Sequence, residues 1–197
     1  MKKVLGVFAV AVVALGFGIA TSQAGTIVGS KHDLSSMAAA GGELCVACHT
    51  PHKSDTSVTD APLWNHSLTT ATYTLYASPT FNGSGSVGQP AGVSKLCLSC
   101  HDGTVAIDAF GGQTGTSMIA TAGNLGTDLK KSHPISFTFD SALITADGEL
   151  KAPPAGWVNN NKFECSSCHD VHNKSGVSKM LHVSNASSAL CLNCHVK

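Results

Sequence analysis

The sequence predicts a mostly irregular, coil-rich fold with few short helices, minimal strand and an interior that side chains alone do not fill. Two observations concern packing. Aromatic residues are only 6% of the 197-residue chain and glycines number 20, so bulky apolar groups are scarce and backbone freedom is high. Ser, Thr, Gly and Ala dominate the stretches between cysteines, which is loop-like usage. The third observation is that all eight cysteines fall into four short clusters of one pattern.

Taken in chain order, Met1-Lys2-Lys3 is followed by an uncharged run from Val4 to Ala20 and then by Thr21-Ser22-Gln23-Ala24-Gly25. A charged start, an apolar middle and a small-residue end make residues 1–24 a signal peptide, cut after Ala24. The run ends in small and polar residues instead of extending to the roughly 20 apolar ones of a membrane span. No later segment is apolar enough either, so no transmembrane segment is expected in the mature chain. Residues 25–197 read as a single domain. Within it, Leu34–Ala40 and Ala186–Leu192 suit short helices and Ile135–Phe139 a short strand, while 78–94 and 111–127 should be loops.

The four clusters are Cys45-Val-Ala-Cys48-His49, Cys97-Leu-Ser-Cys100-His101, Cys165-Ser-Ser-Cys168-His169 and Cys191-Leu-Asn-Cys194-His195. Two thiols at this spacing reach the two vinyl groups of one porphyrin as thioethers, and the adjacent His meets the iron as proximal ligand. Disulfides, zinc sites and redox dithiols are the competing uses of such cysteines. None of them needs a His immediately after the second Cys, and here all four clusters have one. Four covalently bound haem c groups follow, and they supply the apolar interior that the composition lacks.

Six further histidines remain: His32, His52, His66, His133, His172 and His182. Four irons need four distal ligands, and His32, His52, His66, His133 and His172 are the candidates. His52 and His172 stand three residues after proximal ligands and cannot pass around a porphyrin edge in that length, so each would serve a neighbouring haem. His32 and His133 look loop-borne, with Pro134 stiffening the second. Trp64, two residues before His66, could pack on a haem face. His182 is recommended only by an imperfect internal duplication, about 25–110 and 128–197, in which it answers to His66. Beyond the signal peptide the methionines are only Met37, Met118 and Met180, so bis-histidine ligation is favoured, which implies low potentials.

All twelve basic residues are Lys. Removing residues 1–24 takes two of them and none of the twelve acidic residues, leaving a net charge of −2 with neutral His. Eight haem propionates bring this to about −10, which repels phosphate backbones. With no Arg for bidentate phosphate contacts, nucleic acid is excluded as a partner.

Taken together, Lys31-His-Asp-Leu-Ser35, Cys-His-Thr-Pro-His (48–52), Pro-Leu-Trp-Asn-His (62–66), Leu-Cys-Leu-Ser-Cys-His-Asp-Gly-Thr (96–104), Asp128-Leu129 with His-Pro-Ile-Ser-Phe (133–137), and Ser-Asn-Ala-Ser-Ser-Ala-Leu-Cys-Leu (184–192) resemble the doubled-CXXCH multihaem c-type cytochromes, nearest to the OmcE-like extracellular tetrahaem filament cytochromes of metal-reducing bacteria. The resemblance implies filaments with stacked haems, a His that crosses from one subunit to a haem of the next, and delivery of electrons to external acceptors. It also implies that His182 is not a ligand. On this reading the chain is exported to the cell surface or beyond, exchanges electrons with redox partner cytochromes or extracellular acceptors, and self-associates. His32, close to the new N-terminus at Gly25, is the natural donor to a neighbour. The alternative is a monomeric periplasmic electron shuttle. An enzyme is disfavoured, because the His surplus can close all four irons and no acid–base cluster stands out.

Overall fold

The computed structural model describes residues 26–196, and the expected signal peptide lies outside the described residues. Most of the described backbone is turn and extended coil. The regular elements are helix α1 (Gly92–His101), helix α2 (Ser141–Asp147) and an antiparallel pair of strands, β1 (Phe137–Thr138) and β2 (Lys162–Phe163), in which Phe137 faces Phe163. Single 3-10 turns occur at several other points. Among the described residues no helix is long and apolar enough to cross a membrane.

The expected strand over Ile135–Phe139 shrinks to β1, because Ser136 just before it is left-handed (φ 55°) and breaks the ladder. Leu34–Ala40 forms only one 3-10 turn, Ala38–Ala40, ended by left-handed Gly41 (φ 57°). Ala186–Leu192 is likewise interrupted, since Ser187 and Ser188 are left-handed and leave two short turns. The expected loop 78–94 gives up its last three residues to α1, and 111–127 holds one turn, Thr121–Gly123. Helix α1 lacks a side-chain cap from its own N-cap, Ala91. The cap comes from 70 residues away: the Glu164 carboxylate accepts the Ser94 N–H at 3.2 Å. No local pattern could announce that helix. Helix α2 was equally unexpected; Asp140 caps its first turn through Leu143 N–H and Gly148 ends it at φ 74°.

The apolar interior is divided. Phe137, Phe139, Leu143 and Phe163 form one cluster with Cys168 and Cys194 against it. Ala40, Ala47 and Phe110 form a second, Val58, Trp64 and Leu96 a third, and Cys48 packs on both. Tyr73, Leu98 and Leu129 form the fourth. Small separated clusters with motif cysteines at their margins are what a chain built around large inserted groups leaves behind. The two sequence halves interlace, through Glu164 with Ser94 and through Asn160, whose amide donates to Asp60 at 2.8 Å.

Candidate haem sites

Each attachment motif is a tight turn that sets its cysteines and histidine in one orientation. His49, His169 and His195 each donate their backbone N–H to the carbonyl of the first cysteine, at 2.9, 3.0 and 3.0 Å. The second motif ends helix α1, which gives the same pitch by ordinary helical bonding. The ring Nδ1 of His49, His101 and His169 meets the carbonyl of Pro62, Gly123 and Lys179, at 2.5, 2.8 and 3.0 Å. A carbonyl accepts, so Nδ1 carries the proton and Nε2 is the free ligating atom.

Three proximal histidines face a second His of the same chain. His49 and His172 lie with ring centroids 6.3 Å apart and planes 8° from parallel. His32 and His101 are 5.8 Å apart at 45°. Two imidazoles bound on opposite sides of one metal have centroids about 6 Å apart, given metal–nitrogen bonds of about 2 Å and the depth of each ring. Burial, then His101 and His169 close by, lower the His32 pKa and keep its imidazole neutral, the form that ligates. His133 stands near enough to His195 to feel its charge; loss of water around the ring lowers its pKa, the Pro134 carbonyl opposes this, and His195 lowers it further. His133 and His195 both line a cavity of about 330 Å³ that also presents Cys191, Cys194, Phe137, Phe163 and Trp157. Two cysteines, two histidines and aromatic rings around one cavity are the residue types that a haem site needs.

The remaining histidines sort differently. His52 is exposed, and its ring has no hydrogen-bond or ring partner among the described residues. His66 is 2% exposed, with Nδ1 2.8 Å from Ser67 O and Nε2 3.0 Å from Ala106 O; both oxygens accept, so a neutral ring donates to one of them and the other nitrogen keeps its lone pair. Its ring lies 6.2 Å from that of Trp64, with Nε2 3.4 Å from Cys100 Sγ, which puts this distal candidate beside the second attachment motif. His182 stacks on Trp157 (4.6 Å, 19°) and donates from Nε2 to Ser166 O at 2.8 Å.

His182 also corrects the duplication register. Around motif one, Thr50 N–H meets Leu63 O, Asn65 N–H meets Cys48 O, and the Asn65 amide donates to Val46 O. Around motif three, Asp170 N–H meets Met180 O, His182 N–H meets Cys168 O, and the His182 ring donates to Ser166 O. Leu63 and Met180 are both left-handed, at φ 54° and 55°. His182 therefore stands where Asn65 stands, one residue off the expected match with His66.

The motifs adjoin one another in chain order. Burial, then Cys48 and Asp102, push the Cys100 thiol up to about 12, which places motif one beside motif two. Cys97 neighbours Cys165, whose N–H also donates to Ser94 Oγ on the helix that carries Cys97, joining motifs two and three. Burial, then Cys194 and Cys191, push Cys168 up to about 11, joining motifs three and four. All eight cysteines are unpaired by disulfides, and among the described residues no group of three or more His, Cys, Asp or Glu converges to hold a bare metal ion. The buried Trp64 indole N–H, packed with Cys48, has no acceptor within the described protein, a need that a haem propionate can meet.

A family model, the doubled CXXCH motif, matches residues 158–197, the stretch that carries motifs three and four. No curated protein matches the chain. The matched motif and the geometry of the sites support a multihaem c-type cytochrome with covalently bound haem c, a class that transfers electrons.

Proposed function

We propose that the chain is a four-haem electron conduit, a subunit of an extracellular filament in which one distal His crosses between copies. The observation that carries the conduit is the sequential adjacency of the attachment motifs: Cys48 packs with Leu96 of the helix that ends in motif two, Cys165 donates its N–H to Ser94 of that helix, and Cys168 and Cys194 pack on one cluster. Haems held at neighbouring cysteines would be close enough for electrons to hop between them. Haem c, when bound, supplies a one-electron ferric–ferrous couple. The eight cysteines hold it, His49, His101, His169 and His195 ligate from one side, and their Nδ1 bonds to fixed carbonyls stop the rings from turning. His172, His32 and His133 close the opposite faces of motifs one, two and four. With all irons closed by imidazole, the protein carries electrons and performs no catalysis.

Motif three is left for His52. Both His169 and His52 are exposed, and the His32 ring lies 5.8 Å from that of His101 of its own chain, a placement that favours His52 over His32 as the residue that crosses. We therefore assign the crossing role to His52. A directional metal–ligand bond of this kind supplies interface stability that a Gly-rich surface gains poorly by apolar burial, and a heterologous contact that does not close propagates as a helix.

The test is His52→Ala beside wild type. Mass spectrometry should find Gly25–Lys197 plus four haems in both, electron microscopy should find filaments only in wild type, and the variant should show one high-spin iron. A wild type that stays monomeric with four six-coordinate irons makes the chain a periplasmic shuttle instead. Fewer than four haems refutes the conduit.

A further inference from the structure

Two carboxylates are buried beside the middle pair of attachment motifs. Glu164, 8% exposed, directly precedes Cys165, and its Oε2 accepts the Ser94 N–H at 3.2 Å and the Ser136 hydroxyl at 3.1 Å. Ser94 is the third residue of α1, so the carboxylate rests on the amino end of a ten-residue helix, where partial positive charge favours an anion. The Ser94 Oγ accepts the Cys165 N–H at 3.0 Å, and α1 also carries Cys97 of motif two. Glu164 thus sits inside the joint between motifs two and three. Asp102, 4% exposed, directly follows His101. It accepts the Thr69 hydroxyl at 2.6 Å, the Tyr73 hydroxyl at 2.5 Å, and the N–H and hydroxyl of Thr104 at 2.7 and 2.8 Å.

Every group aimed at either carboxylate is a donor. An ionised carboxylate only accepts, whereas a protonated one brings a hydrogen that needs an acceptor of its own. Neither group has a lysine partner: the ion pairs among the described residues are Lys130 with Asp128 and His172 with Asp170. Both carboxylates are therefore buried hydrogen-bond acceptors with no cation paired to them.

We propose that Glu164 and Asp102 are potential-setting residues, two fixed anions that hold the haem irons of motifs two and three at lower reduction potentials than neutral groups would. The inference rests on the haem reading above. Reduction delivers one electron from a reductant such as dithionite to a ferric iron and makes it ferrous, with no bond formed or broken and the carboxylates unchanged. Added negative charge is disfavoured beside an anion that protein rather than water surrounds, because little screening separates them. Hydrogen bonding, charge and burial around an iron are the means by which a protein sets its potential.

The experiment is a spectroelectrochemical titration, dithionite against ferricyanide, of the full haem-loaded chain as wild type, Glu164→Gln and Asp102→Asn. Each variant should keep the wild-type haem content and show part of its titration curve displaced to higher potential, with the remainder superimposed on wild type. A role confined to capping and packing lowers thermal stability and leaves the curve where it was; that result in either loaded variant overturns the proposal for that residue. If Glu164→Gln cannot retain its haems, Glu164→Asp, which keeps the charge, should load and titrate with a curve close to wild type, and a large upward displacement in it overturns the charge argument. Absence of covalent haem in the wild type is seen before any titration and sinks the underlying reading instead.

Discussion

Replacing Tyr73 with Phe removes a single hydroxyl from the buried Asp102 knot and almost nothing else. Tyr73 is 6% exposed, its ring packs with Leu98 and Leu129, and Phe keeps that packing. Asp102 loses one of four donors in a place where water does not replace it. Hydrogen bonds to charged groups contribute about 1.5–3 kcal/mol. For a domain of this size each kcal/mol moves the melting temperature by roughly 2–4 °C, so a drop of about 3–12 °C is expected at pH 7. The sign with pH also follows. Burial raises the Asp102 pKa, but the bonds from Thr69, Tyr73 and Thr104 outweigh it and the net shift is downward. Stability from a carboxyl lowered in the folded state is complete above its unfolded pKa of about 3.9, and is lost as pH falls through the lower folded value. The difference between wild type and Tyr73→Phe should therefore be constant at neutral pH and shrink below about pH 4. Thermal unfolding followed by near-ultraviolet circular dichroism measures it, with Tyr76→Phe as control. A Tyr73→Phe melting temperature within about a degree of wild type at pH 7 refutes the reasoning.

Two further predictions concern the histidines. His172→Ala and His32→Ala should each keep full haem content and convert one iron from low-spin to high-spin, seen as a new charge-transfer band and carbon monoxide binding in the reduced protein; an unchanged spectrum removes that residue from the ligand set. His182→Asn should leave every iron six-coordinate and stability within about 1 kcal/mol of wild type, because Asn fills the corresponding place in the first repeat, whereas His182→Ala leaves Ser166 O unpaired and costs about 1–3 kcal/mol; denaturant unfolding separates the two.

The attachment sites were legible in the sequence because their chemistry is local: two thiols and an imidazole within five residues suffice for one haem edge and one iron face. The coil-rich fold was legible for a related reason, since a chain short of aromatics cannot build a continuous core, and the four small clusters show how little it builds. Distal ligation is a relation between distant segments, so no local pattern could pair His49 with His172 across 123 positions of chain. The same holds for α1, whose N-terminal cap arrives from Glu164. The duplication was visible but read one residue out of register. Matching His to His was the natural choice on letters, yet the repeat conserves a job: a side-chain N–H that reaches back to the carbonyl two residues before the second cysteine of its motif or its equivalent. Asn65 does this for Val46 and His182 for Ser166, and an amide and an imidazole are alike to a carbonyl that needs a donor. Aligned on hydrogen-bond function rather than on residue type, the repeat matches His182 to Asn65 and leaves His32, His52, His66, His133 and His172 as the candidates for four distal positions. Of these, His172, His32 and His133 lie near His49, His101 and His195 of their own chain, whereas the His52 ring is exposed and free to reach a neighbour.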